Sequence, residues 1–125
     1  MIVALLGPSA DLERCEAARD ALANAGITVA FDWPRQVRVM RDRGLTDDDL
    51  TGEERAWIGA DCLSAIDACD VVWWLGGVSG GAHFEAGYAY AILKPIVSSG
   101  LQHPVYRCEH FPSDFAALAW IVGNR

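Results

Sequence analysis

The residues best suited to chemistry lie in the stretch Val78-Ser79-Gly80-Gly81-Ala82-His83-Phe84-Glu85. Gly80 and Gly81 let the backbone approach a ligand closely and expose amides at the start of a helix predicted over Ala82–Lys94. Glu85 falls in or just after the first turn of that helix, where the dipole favours a carboxylate over a carboxylic acid by ~0.3–1 kcal/mol. A carboxylate held ionised on a ligand-binding rim can act as a nucleophile or a charge stabiliser. The plainer role, completing a helix N-terminus, fits the position equally well.

Asp61 is the second unusual acid. The apolar stripe of its helix runs Ile58, Cys62, Ala65, Ile66, Cys69, and Asp61 interrupts it. Desolvation favours the protonated form of an acid pressed against such a stripe. Glu85 and Asp61 would then be one nucleophile and one proton donor. The other reading puts Asp61 at the edge of the stripe, solvated or paired with Arg55. His83 and Glu85 also form an H-x-E, half of a zinc-deaminase signature, but the P-C-x-x-C that completes it is missing. No metal or organic cofactor is therefore expected, and His83 reads as a pocket-wall or capping residue.

Several elements must hold these groups. Ile2–Leu6 is a continuous apolar run ended by Gly7-Pro8, hence a buried strand, and Ser9 can cap the next helix. Gly26 stops that helix. Ile27–Phe31 is a second strand, left sharply through Asp32-Trp33-Pro34. Gln36–Asp49 is a polar excursion with a short helix. Thr51 and Glu54 have capping-box spacing for a helix to about Cys69. Asp70–Leu75 and Pro95–Ser98 are further strands, with a fifth at Val105–Cys108, and Ser113 can cap the last helix. This alternation predicts one α/β domain over residues 1–125: a flavodoxin/Rossmann-like parallel sheet of four to five strands with helices on both faces. Ligands bind such sheets at the strands' carboxyl ends, which puts Gly7–Ser9, Asp32–Pro34, Gly76–Gly81 and Ser98–His103 on one rim.

Composition narrows the function classes. With 125 residues, 52% of them hydrophobic and 22% charged, the chain has the balance of a globular protein. No apolar run approaches the ~18 residues of a membrane span, and Met1–Gly7 lacks the basic start of a signal peptide. The net charge of −7, with the basic residues scattered, argues against long nucleic acid as a partner. A small nucleotide is still possible, because backbone amides can hold a phosphate. The four cysteines show no C-x-x-C and read as reduced, which points to the cytoplasm.

The stretch Asp61–Val97, with its core D-V-V-W-W-L-G-G-V-S-G-G-A-H-F-E-A-G-Y-A-Y-A-I-L-K-P-I-V, resembles the nucleoside 2-deoxyribosyltransferase superfamily, which includes nucleoside 5′-monophosphate N-glycosidases. The N-terminal A-L-L-G-P-S is similar to that family's first strand and turn. The resemblance implies that Glu85 is the nucleophile attacking the anomeric carbon and that Asp61 helps protonate the departing base. It implies that Ser79 contacts the sugar's 5′ end, that Gly81 offers its amide to sugar or phosphate, and that Gly7 helps form the pocket floor, with Ser9 on the same rim a further candidate substrate contact. Asp32 and Trp33 stand where the family binds the base, and Trp33 could stack on it. Ser79 in place of the Asp of many transferases leans toward a 5′-phosphate. Yet the first loop lacks an arginine, and Arg14 could serve only by reaching back. The resemblance further implies a homodimer or larger homo-oligomer.

The function expected is thus cleavage or transfer of the N-glycosidic bond of a (deoxy)nucleoside or its 5′-monophosphate. A non-catalytic nucleotide-binding or sensor module on the same fold is the rival, since Glu85 and Asp61 would look the same in it.

Overall fold

The structure, a computed structural model, describes residues 1–77, 79–100 and 108–125. Its described strands are β1 (Ile2–Leu6), β2 (Thr28–Val29), β3 (Val71–Trp74), β4 (Ile96–Ser99) and β5 (Glu109–Phe111). They form one sheet in the order β2-β1-β3-β4-β5, and every neighbouring pair is parallel. This is the flavodoxin-like order, in which the chain reverses its direction of travel across the sheet between β1 and β3.

The helices are α1 (Leu12–Asn24), α2 (Trp33–Asp42), α3 (Gly52–Ala68), α4 (Gly80–Ala91) and α5 (Asp114–Gly123). Alternation along the strands sorts the core into two layers, because successive side chains point to opposite faces. Val3, Leu5, Val71, Trp73 and Val97 meet Cys15, Ala18 and Leu22 of α1 and Ala117 and Ile121 of α5. Ala4, Leu6, Val72, Trp74 and Ile96 meet Ala65 and Ile66 of α3 and Ala82, Ala86 and Ala89 of α4. The small residues of α4 let its backbone lie close to the sheet.

Caps set where the helices begin. Thr51 and Glu54 form the expected capping box, with Thr51 N–H donating to Glu54 at 3.0 Å and Glu54 N–H to Thr51 at 3.1 Å. Ser113 caps α5, accepting from Ala116 N–H at 3.2 Å. Gly26 takes a positive φ of 74° after α1. Ser9 departs from expectation: it opens a short 3-10 turn, Ser9–Asp11, with no side-chain cap, so its side chain is not committed to α1. The second strand is shorter than Ile27–Phe31, and the excursion after it is ordered as α2 and a 3-10 turn at Asp47–Asp49. The fifth strand lies at Glu109–Phe111; of the expected Val105–Cys108, residues 105–107 lie outside the described residues, as do residues 101–103 of the expected rim.

Candidate active site

A cavity of about 290 Å³ opens at the carboxyl ends of β1 and β3, at the reversal point of the sheet. Gly7 and Ser9 line it from the turn after β1; Ser79, Gly81, Ala82 and Glu85 line it from α4 and its cap. The opposite wall comes from the two segments the sequence left least defined. Trp33, Gln36, Val37 and Met40 belong to α2, and Asp47 and Leu50 follow it. Arg55, Ile58 and Cys62 of α3 complete the lining. The α2 wall thus sets apolar side chains beside Gln36 and Asp47, while the other end carries a hydroxyl, glycine backbone and a carboxylate.

Local structure explains this polar end. Ser79 caps α4, its hydroxyl oxygen accepting from Ala82 N–H at 3.3 Å. That leaves the Ser79 proton free to donate to a ligand. Gly7 must lack a side chain, since a Cβ there would lie 2.9 Å from the Cys15 sulfur. Gly81 has only the Ser79 hydroxyl within 4.0 Å of such a Cβ, and as the second residue of α4 its N–H has no acceptor within the helix.

Glu85 lies half-buried in the wall, and its charge state differs from the one expected. α4 starts at Gly80, not Ala82, so Glu85 falls in the second turn, where the helix dipole has faded. Burial then dominates and pushes the Glu85 carboxyl up from its ordinary value; the neighbouring Cys62 thiol pulls partly the other way. Cys62 is raised in turn to about 12, first by burial and then by the Glu85 charge.

Three expected residues are not brought to this cavity. Asp61 is exposed and absent from its lining, contrary to the reading that set it against a buried stripe. The stripe is real, with Ala65, Ile66 and Cys69 buried, but Asp61 lies beyond its edge and Cys62 fills the pocket position instead. Asp32 caps α2, accepting from Arg35 N–H at 3.3 Å, and pairs with Arg19 at 3.3 Å. His83 turns to the Ser79 carbonyl, at 2.8 Å, and packs edge-on against Trp74 with ring centroids 4.9 Å apart. Trp33 does line the cavity, its indole N–H anchored on the Leu5 carbonyl at 2.7 Å.

Arg14 is consumed elsewhere. It grips Asp114 through two hydrogen bonds of 2.7 and 2.8 Å and donates to the carbonyls of Gly76 and Ser99. The cations near the cavity are ones the sequence reading missed. Arg55 is in its lining, and Arg41 reaches from α2 to the Ser9 carbonyl at 2.5 Å. Nothing local in the sequence ties Arg41 to Ser9, which lies 32 residues away. Among the described residues, no three His, Cys, Asp or Glu side chains gather as a metal site requires.

The fold is shared with solved enzymes. A 2-deoxyribosyltransferase from the psychrotolerant bacterium Bacillus psychrosaccharolyticus superposes with a TM-score of 0.68 at 18% identity, over 94% of this chain and 90% of that one. The Clostridium botulinum CMP N-glycosidase BcmB does so with a TM-score of 0.61 at 18% identity, over 97% and 98%. No family model matches the chain, and no curated protein matches it.

Proposed function

We propose that this domain breaks the N-glycosidic bond of a nucleoside or nucleoside 5′-monophosphate, with Glu85 attacking the anomeric carbon. The observation that carries the reading is Glu85 itself: a desolvated carboxylate facing a cavity at the reversal point of the sheet, beside a glycine loop. Two enzymes of the same fold act on such bonds, a 2-deoxyribosyltransferase and a CMP N-glycosidase. Desolvation makes a carboxylate more basic and strips water from its lone pairs, which suits an attacking oxygen.

In this reading the base lies in the apolar end, against Trp33, Val37, Met40 and Leu50, and the sugar lies over Gly81 and Ser79. Arg41, held over Ser9, supports a 5′-phosphate at that end. As Glu85 bonds to the anomeric carbon, the C–N bond breaks and its electron pair leaves with the base. Water or a second base then attacks the ester and frees Glu85. Asp61 has no part in the step, because its side chain lies outside the cavity. The chemistry asks for no cofactor.

Chromatographic detection of free base tests the proposal, with wild type and Glu85→Ala run over nucleosides and 5′-monophosphates, with and without an acceptor base. The expected result is release by wild type and a loss on the order of 10⁴-fold in Glu85→Ala. Dependence on acceptor would mark a transferase. Binding of nucleotides without any release would favour the non-catalytic module.

We also propose that a second copy of the chain covers the exposed aromatics of α3 and α4. Trp57 is 62% exposed and Phe84 67%, more than such side chains favour in water. A single-chain mass by light scattering would refute this. The four free thiols suit a reducing compartment and support a cytoplasmic location.

A further inference from the structure

We infer that α2 is a lid over the cavity, hinged where Trp33 and Pro34 enter the core and latched at its far end by Arg38 and Arg41. The assignment goes beyond the glycosidic reading and stands on how the helix is held, whatever the cavity binds.

The core holds α2 less than any other helix. α1 buries Leu12, Cys15, Ala18 and Leu22, and α4 buries Ala82, Ala86 and Ala89, but α2 buries only Pro34. Its other apolar side chains face elsewhere: Val37 and Met40 line the cavity, and Val39 is 43% exposed. The first turn is the part fixed to the core. Trp33 packs against the layer formed with α1 and α5 and donates its indole N–H to the Leu5 carbonyl at 2.7 Å. Asp32 caps the same end, accepting from Arg35 N–H at 3.3 Å, and the fixed φ of Pro34 keeps it stiff.

The far half is held by charge. Arg38 donates twice to the Glu16 carboxylate of α1, at 3.1 and 2.5 Å, and Arg41 donates to the Ser9 carbonyl at 2.5 Å. Both arginines reach water, the Arg38 side chain being 41% exposed and Arg41 exposed. Water and salt compete with contacts of this kind, so they hold a helix weakly. Just past α2, Gly44 takes a φ of 74°, and a Cβ there would meet nothing within 4 Å, so the chain is not packed in place at this second joint. A helix with one end in the core and the other on exposed charge contacts opens about the first end. Releasing the two arginines moves the wall that carries Val37 and Met40 and uncovers Glu85 and Cys62 on the other side of the cavity. The latched volume of about 290 Å³ is at the low end for ligand pockets, which gives such opening a use in admitting and releasing a ligand.

Cys62 reports the motion without any substrate. It lines the cavity from α3 and is half-buried, whereas Cys69 is buried in the core layer beneath and reports general loosening. Alkylation by iodoacetamide at about pH 9, where thiolate forms, would be followed for each cysteine by peptide mass spectrometry in folded wild type, Glu16→Ala and Arg41→Ala. Losing one exposed charge contact should speed Cys62 about fivefold and leave Cys69 at its wild-type rate. Amide hydrogen exchange is the second measurement. Residues 36–43 should exchange about fivefold faster in both variants, because so short a helix freed from its support is marginal in water, while α1 and α4 stay unchanged. Wild-type Cys62 rates in both variants would overturn the lid. So would acceleration of Cys69, or of α1 and α4 together with α2, since the arginines would then be general supports of the fold. Absence of base release in wild type would remove the glycosidic reading and leave these rates, and the lid, as they are.

Discussion

Asp114 and Glu85 are both half-buried carboxylates at the carboxyl end of the sheet, one opening α5 and the other in the second turn of α4. Asp114 is surrounded by donors: two from Arg14 and the Ser99 hydroxyl at 2.6 Å. Ser99 in turn accepts from the buried Trp73 indole at 2.9 Å, so the group is tied into the core. Arg14 first, with help from Ser99, holds the Asp114 carboxyl below its ordinary value. Glu85 has burial without an arginine, and its shift runs the other way. A carboxylate held by three donors from two other elements joins those elements together. One buried without such donors holds its proton more tightly.

The sharpest way to break this contrast is to remove the structural acid. Asp114→Ala strands Arg14 and should cost about 2 kcal/mol, discounted because both side chains remain roughly a third exposed. Urea unfolding would measure that cost, and kcat of the purified variant should stay within about twofold of wild type. An activity loss as large as that of Glu85→Ala would mean the rim is one unit after all.

Opposite pH behaviour is a second test. The lowered Asp114 contributes stability that is present above the ordinary carboxylate range and is lost as pH falls through its folded pKa. The raised Glu85 works inversely: the folded state holds its proton more tightly, so stability falls as pH rises from the ordinary carboxylate range through the folded pKa. Glu85→Gln should therefore raise Tm at neutral pH by about 2–4 °C and leave it nearly unchanged in acid. A lower Tm at pH ~7 would show that Glu85 is a structural acid like Asp114.

A third comparison separates two glycines. A Cβ at Gly76 would sit 2.7 Å from the Ser99 carbonyl oxygen, whereas one at Gly81 meets open space. Gly76→Ala should then destabilise by about 1–3 kcal/mol. Gly81→Ala should fold normally and raise KM about tenfold if the sugar lies over Gly81 as proposed. Normal KM in Gly81→Ala would move the sugar off that amide.

The repeating pattern of strand, helix and turn was legible because each element is specified locally. Apolar runs, caps at Thr51 and Ser113, and the turn glycine at position 26 each act within a few residues. The glycine loop and Glu85 were legible for the same reason: they are contiguous, and their rim follows from the parallel order of strands. The ends of the short second strand were not, because Ile27–Phe31 is apolar enough to read as strand throughout and only pairing with β1 decides its length.

The sequence by itself determined the layers and the segment that carries the proposed nucleophile. Only the tertiary structure decided which side chains meet there. Asp61 and Cys62 are adjacent in the chain, but about 100° of helical rotation sends one to solvent and the other to the cavity that Glu85 lines. Arg41 reaches Ser9, and Arg14 reaches Asp114, across separations of 32 and 100 residues that no local pattern encodes. Burial, too, is a property of the packed assembly, and it overrode the helix dipole at Glu85. A dipole can be read from spacing, but desolvation depends on what folds over the group.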